Sequence, residues 1–130
     1  MALFTEDLFS PRAKAFAASA VDPFAVSDLA SAEFASVVSR LVRTGDMQPS
    51  HASMAFGSLD RWKVQAATEV ETCSSDLRVA EGFMRRLEFS LRTPDAIHLA
   101  TALRLDATLV TFDRRLERDA RALGATVAAA

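Results

Sequence analysis

The sequence contains little of what several common kinds of functional site require. Cys73 is the only cysteine, and His51 and His98 are the only histidines. An intramolecular disulfide is therefore impossible, and no spacing typical of Cys/His zinc ligands is present. The four glycines are scattered along the chain, which excludes a glycine-rich phosphate-binding loop. The arrangements typical of serine nucleophiles are absent as well.

Long apolar runs and a strong net charge are also missing. No stretch approaches the roughly 18 apolar residues of a membrane-spanning helix. Charged residues interrupt the first twenty positions, which argues against a signal peptide. A formal net charge of −2 gives no general basic field, so a nucleic-acid partner would need a local basic patch or bridging cations. We expect a cytoplasmic protein with no membrane partner.

The chain has 130 residues, half of them hydrophobic, and this is enough for one domain, over residues 1–130, with a sizeable core. Helical and extended patterns alternate along it. Helices are predicted over about 2–20, 28–43, 48–67, from Ser74 or Ser75 onward, from Thr93 and after Asp113; strands are predicted over 24–27, 68–72, 107–111 and 125–127. This alternation predicts an α/β fold with a mostly parallel sheet and helices on both faces.

The stretch 92–113 is the most informative part of the sequence. Thr93 suits the N-cap of a helix and Pro94 its first position. Asp95 then falls on the apolar face of that helix, where a carboxylate is unexpected. Asp113 directly follows an apolar strand, and ligands of parallel sheets gather beyond the carboxyl ends of the strands.

Three carboxylates, Glu33, Asp95 and Asp113, are candidates for one acidic cluster. Converging carboxylates stay ionised only if cations compensate them, and oxygen ligands of this kind select Mg²⁺ or Mn²⁺. Such a site can activate a water and neutralise charge on a phosphodiester. Each acid also has an ordinary structural interpretation: Asp95 complements a helix dipole, Asp113 is a good N-cap and Glu33 suits a solvated helix surface.

Arginines supply nearly all of the positive charge. Arg114 and Arg115 adjoin Asp113 and are the better candidates for holding an RNA backbone, whereas Arg118 and Arg121 are expected on a solvated helix face. His98 follows Asp95 by about one turn; it could orient a substrate phosphate, but we expect a surface or capping histidine there.

Three segments together resemble the PIN-domain family, with greatest similarity to the bacterial VapC-type ribonuclease toxins. They are residues 27–33, residues 92–102 (RTPDAIHLATA) and residues 109–113 (LVTFD). The resemblance covers nearly the whole chain, and the spacing between the last two segments is quite specific. It implies a three-layer α/β/α fold with a mostly parallel sheet.

The same resemblance implies a function. Glu33, Asp95 and Asp113 would be the catalytic and metal-binding acids, and Thr111 would give polar support to the site. The activity implied is Mg²⁺- or Mn²⁺-dependent endonucleolytic cleavage of RNA, by the toxin of a type II toxin–antitoxin system. Family members usually form homodimers and are silenced by a cognate antitoxin protein.

The N-terminus departs from the family pattern. The family begins with a central apolar strand ending in Asp-Thr or Asp-Ser, and here no aspartate precedes Asp7, which lies within the predicted first helix. We therefore expect the first strand and its acid to be missing. Either the full protein starts further upstream and is an active nuclease, or this is a truncated form with weak catalysis.

Two alternatives to an active nuclease remain. A truncated domain could act as a non-catalytic module that binds an antitoxin or a complete protomer. A receiver-type phosphoacceptor with an acidic Mg²⁺ pocket would need a lysine at a late strand end, whereas Lys14 and Lys63, the only lysines, lie in predicted helices. The phosphoacceptor is therefore discounted, and the prediction is a nuclease, with the binding module as the alternative.

Overall fold

The computed structural model describes the backbone of residues 11–129 and the side chains of residues 15–128. These residues form two compact units, one with the described residues up to Val70 and one with those from Glu71 onward. The start of the predicted first helix and the expected loss of a strand before it lie outside the described residues. No helix in the described part is both long enough and apolar enough to cross a bilayer.

The unit that ends at Val70 contains three helices and a two-stranded parallel sheet. Its elements are α1 (Pro11–Ser19), β1 (Phe24–Ser27), α2 (Asp28–Arg43), α3 (Pro49–Ala66) and β2 (Ala67–Val70). Phe24 pairs with Ala67 and Ser27 with Val70. The Ser27 hydroxyl accepts the Ala30 N–H at 3.0 Å and so caps α2, on which Phe34 is buried.

The unit that begins at Glu71 also contains three helices and a two-stranded parallel sheet. Its elements are α4 (Ser74–Arg85), α5 (Thr93–Arg104), β3 (Leu109–Thr111), α6 (Arg114–Ala122) and β4 (Val127–Ala129). Leu109 pairs with Val127 and Thr111 with Ala129. All three residues of β3 are buried, as expected of a strand inside an α/β unit. The predicted α/β class with parallel strands is confirmed.

Several predicted helix and strand boundaries were wrong by one or two residues. The N-cap of α5 is Arg92, so Thr93 is already the first helical residue. At the other end of this helix Asp106 has a φ of 49°, and the Ala107 N–H donates to the Ala102 carbonyl at 2.9 Å. This is a Schellman motif. Because it uses the Ala107 N–H, β3 begins at Leu109, two residues later than predicted.

The last helix ends in the same way. Gly124 has a φ of 92° and confirms the predicted helix-stopping glycine, while the Ala125 N–H donates to the Ala120 carbonyl at 3.0 Å. Since Ala125 closes this turn, the final strand starts at Val127, two residues later than predicted.

A buried carboxylate joins α4 to α5. Asp76 is 1% exposed, and its carboxylate accepts the Cys73 N–H at 2.9 Å and the Thr101 hydroxyl at 3.1 Å. Arg104 donates to both carboxylate oxygens at 2.8 and 2.9 Å and to the Glu71 carbonyl at 2.7 Å. The predicted serine cap of α4 was therefore wrong: the cap is Cys73, with Asp76 three residues later.

The bonds to Arg104 are the main reason why the pKa of Asp76 lies below its ordinary value, and they outweigh the effect of burial, which raises it. The Cys73 N–H and the Thr101 hydroxyl lower the pKa further. The pKa of Asp76 in the folded state lies below the unfolded-state value of about 3.9. The ionised carboxylate therefore stabilises the fold fully above about pH 3.9, and this stabilisation is lost as the pH falls through the folded-state pKa.

We predict that Asp76→Asn lowers the free energy of unfolding by about 2 kcal/mol at pH 7, because one of the two buried acceptor oxygens becomes an amide NH₂ that cannot accept the bonds made by the carboxylate. Urea unfolding from pH 7 to pH 3 should show a constant deficit down to about pH 4.5 and a shrinking one below it. The control is Glu81→Gln, which removes the exposed 2.8 Å pair with Arg85 and should cost less than about 0.5 kcal/mol. A deficit that persists unchanged at pH 3 would contradict the assignment.

Candidate functional site

Asp95 lies in the first turn of α5. It follows the N-cap Arg92 by three positions, one further into the helix than predicted, and its side chain is half-buried. The free N–H groups of a helix start favour a negative charge at this position. The structure therefore places the Asp95 carboxylate at a helix N-terminus, in agreement with the structural interpretation made from the sequence.

Asp113 caps α6. Its Oδ1 accepts the Arg115 N–H at 2.7 Å and the Leu116 N–H at 3.3 Å, so the predicted N-cap role is confirmed. The Asp113 N–H donates to Oγ1 of Thr111 at 3.1 Å. Thr111 is 1% exposed at the end of β3. The buried threonine thus supports Asp113 through its backbone.

Asp95 and Asp113 line the same polar cavity, of about 210 Å³. Eight residues line it: Ser90, Leu91, Arg92, Asp95, Asp113, Arg115, Leu116 and Asp119. All belong to the unit that begins at Glu71. Two residues that are 18 positions apart in the sequence are therefore brought to one site, as the strand-end argument predicted for this pair.

Two arginines of the lining are available to a ligand. Within the part of the chain that the structure describes, the guanidinium groups of Arg92 and Arg115 make no ion pair and no hydrogen bond. Arg114, the other predicted RNA-binding residue, is exposed and does not line the cavity. Of the two predicted arginines, only Arg115 thus lines the cavity with the acids. Arg92, which was not predicted, lines it as well.

A third acid in the lining, Asp119, is already compensated. It is 2% exposed, and its Oδ2 accepts the Ser90 N–H at 3.0 Å and the Ser90 hydroxyl at 3.2 Å. Its Oδ1 accepts from Arg118 Nε at 2.9 Å and Nη2 at 2.8 Å. Arg118 was predicted on a solvated face; it is largely exposed, but it serves to neutralise this carboxylate.

Burial has the largest effect on Asp119 and raises its pKa, but the bonds from Ser90 and Arg118 together outweigh it and leave the pKa below its ordinary value. Asp119 is therefore ionised at neutral pH, with all of its charge paired. The other residue predicted on the solvated face, Arg121, pairs with Glu117 at 3.2 Å and donates to the Val127 carbonyl at 3.0 Å.

Glu33 and His98 complete the predicted positions. Glu33 lies in α2, half-buried, and belongs to the other unit, so its approach to Asp95 and Asp113 stays a prediction. His98 is 3% exposed, and the expectation of a surface histidine was wrong. The reason is that α5 is buried on most of its sides, with Ala96, Leu99 and Ala100 also buried.

The acids fit a divalent cation that keeps part of its water shell. Among the described residues of either unit, no three histidine, cysteine or acidic side chains form a set placed to hold a metal ion. Asp95 and Asp113 provide two carboxylates in one polar cavity, and Mg²⁺ is commonly held by one or two carboxylates together with water and substrate phosphates. This donor set suits a hard cation and does not suit zinc.

Sequence reasoning missed Ser90, Arg92 and Asp119. A signal for Asp119 was present, since Leu116, Ala120 and Leu123 mark the apolar side of α6 and Asp119 falls among them. Asp95 was identified by the same feature, a carboxylate on the apolar side of a predicted helix. For Ser90 and Arg92 no signal of this kind exists, because both lie in a loop or at a helix start.

We predict that Asp113→Ala lowers the free energy of unfolding by about 1 kcal/mol, because α6 loses its cap, whereas Asp113→Asn changes it by a few tenths at most. Urea unfolding followed by circular dichroism measures both. Equal losses in the two variants would show that charge, and not capping, is what stabilises this end of α6. The expected difference makes asparagine the variant of choice for removing the Asp113 charge.

Comparison with protein family models matches residues 1–122 to the PIN domain. A comparison with curated protein sequences found no match. The family match confirms the resemblance to the PIN-domain family, and it covers both helices whose N-termini carry Asp95 and Asp113. The chain belongs to the PIN-domain family.

Proposed function

We propose that this protein is a divalent-cation-dependent endoribonuclease. The observation that carries the proposal is the cavity that Asp95 and Asp113 share with Arg92 and Arg115, whose guanidinium groups have no partner among the described residues. PIN domains are typically metal-dependent nucleases that bind nucleic acid, so family and cavity favour the same chemistry.

Asp95 and Asp113 would hold Mg²⁺ or Mn²⁺. When bound, the cation supplies an activated water and neutralises charge on the phosphodiester. Asp113 has Oδ1 committed to two backbone N–H groups, which fixes the carboxylate in orientation and leaves Oδ2 for the site. Glu33 is the proposed third acid, on the grounds of the family resemblance.

Arg92 and Arg115 would bind the RNA backbone. A guanidinium matches phosphate oxygens in geometry and charge, and these two flank the acids without competing partners in the described part of the chain. Their charge compensates for the acids, which would otherwise repel a phosphodiester. Thr111 contributes through the backbone of Asp113, and Arg114, next to the cavity lining, is proposed as a weaker RNA contact.

The biological role proposed is that of a toxin in a type II toxin–antitoxin system, with a cognate antitoxin protein and a second copy of this chain as partners. Similarity of the three segments to VapC-type toxins supports this role. The second candidate function is a module that binds the antitoxin but cleaves little RNA. The experiment below distinguishes it from the endoribonuclease.

We predict that the chain binds Mn²⁺ and cleaves RNA only when Mn²⁺ or Mg²⁺ is present, and that Asp95→Asn or Asp113→Asn lowers the cleavage rate at least about a hundredfold. Calorimetric titration with Mn²⁺ and gel assays on a defined RNA measure the two effects. Asp106→Asn is the matched control, because this exposed carboxylate lies at the other end of α5, at a φ of 49° that asparagine also tolerates.

Unchanged cleavage in both acid variants would rule out the proposed site. Retained binding of an antitoxin peptide with no cation-dependent cleavage by the unmodified chain would favour the binding module over the enzyme.

For the arginines we predict that Arg115→Gln weakens RNA binding about tenfold and reduces the salt dependence of the affinity by about one counterion. Fluorescence anisotropy with a labelled RNA, measured from about 50 to 200 mM salt, gives both quantities. The control is Arg85→Gln, in an exposed arginine of the same unit that pairs with Glu81. Equal effects of the two substitutions would mean that RNA does not enter the cavity.

A further inference from the structure

The segment that leads into α5 is fixed by a residue of α6. Ser90 lies two positions before Arg92, the N-cap of α5, and both its N–H and its hydroxyl donate to Oδ2 of Asp119. Arg118 Nη2 also contacts the Ser90 hydroxyl, at 3.4 Å. The contact joins residues 29 positions apart and closes the loop between α4 and α5 onto α6.

This contact links the two helices that carry the acids. Asp95 follows Ser90 by five residues, at the start of α5, while Asp113 is the N-cap of α6, which carries Asp119 in its second half. All four residues line one cavity. A change at Asp119 would therefore release the segment that sets where Asp95 lies relative to Asp113.

Resting on the proposed function, we infer that Asp119 is a positioning residue for the metal site: through Ser90 it fixes Asp95 relative to Asp113. Asp119 itself is not a ligand, because both of its oxygens are engaged by Ser90 and Arg118. Substitution of a residue that orients a metal ligand without touching the ion commonly lowers metal affinity roughly 10- to 100-fold.

Asp76 provides an internal comparison. Like Asp119, it is a buried carboxylate that accepts one backbone N–H, one hydroxyl and one arginine. It also stabilises the unit that begins at Glu71, but it does not line the cavity. A purely structural role predicts the same behaviour for the two acids, and a positioning role predicts different behaviour.

The test compares Asp119→Asn with Asp76→Asn in the full chain, by calorimetric titration with Mn²⁺ alone at a temperature at which circular dichroism shows both variants folded. We expect Asp119→Asn to bind Mn²⁺ about tenfold more weakly than the unmodified chain and Asp76→Asn to bind it within about twofold. Amide hydrogen exchange gives a second readout: the Ser90 N–H should lose protection only in Asp119→Asn. Ser90→Ala, which keeps the backbone N–H, provides a milder variant and should weaken Mn²⁺ binding about two- to threefold.

Equal Mn²⁺ affinities of Asp119→Asn and the unmodified chain would overturn the inference and leave the proposed function intact. An equal loss in Asp119→Asn and Asp76→Asn would overturn it too, since it would reveal a loss of fold stability only. Absence of Mn²⁺ binding by the unmodified chain would instead overturn the proposed function, and the inference with it.

Discussion

A carboxylate taken out of water must have its lone pairs occupied and its charge matched, and this requirement organises the unit that begins at Glu71. Asp76 meets it with an arginine from α5, and Asp119 meets it with a neighbouring arginine and a serine from the preceding loop. In each case the bonds connect segments more than 20 residues apart. The packing of three short helices and two short strands thus depends on two charges that cannot be left unpaired.

The same requirement sets the electrostatics of the cavity. Because Arg118 neutralises Asp119, the remaining charged groups of the lining are two carboxylates, Asp95 and Asp113, and two guanidiniums, Arg92 and Arg115. A cavity with three uncompensated acids would repel a phosphodiester, and one with the arginines alone would bind phosphate without holding a cation. This balance of charges is compatible with both proposed ligands, and it depends on the salt bridge between Arg118 and Asp119.

Local patterns predicted the parts of this arrangement that are local. The helix over Asp28–Arg43 and the strand over Phe24–Ser27 follow from apolar periodicity, and Asp113 was identifiable as a cap and a strand-end acid. The network of Asp119 with Ser90 was not predictable, since its partners are distant in sequence and nothing in a loop serine indicates which helix it meets. The starts of β3 and β4 were missed for a different reason: N–H groups of Ala107 and Ala125 close helix ends before the chain extends.

The position of the acids at helix starts bears on how cation and substrate would bind. Asp95 and Asp113 both lie at helix N-termini, where the backbone N–H groups of the first turn stabilise negative charge by about 0.3–1 kcal/mol each. A carboxylate stabilised in this way attracts a cation less strongly than one without such N–H groups nearby. In Asp113, moreover, Oδ1 already accepts backbone N–H groups of α6. With only two carboxylate ligands, a bound Mg²⁺ would have most of its coordination positions filled by water and phosphate oxygens. Arg92 and Arg115 lie on the same lining, so under the proposed function this cavity would bind cation and RNA together rather than either one tightly alone.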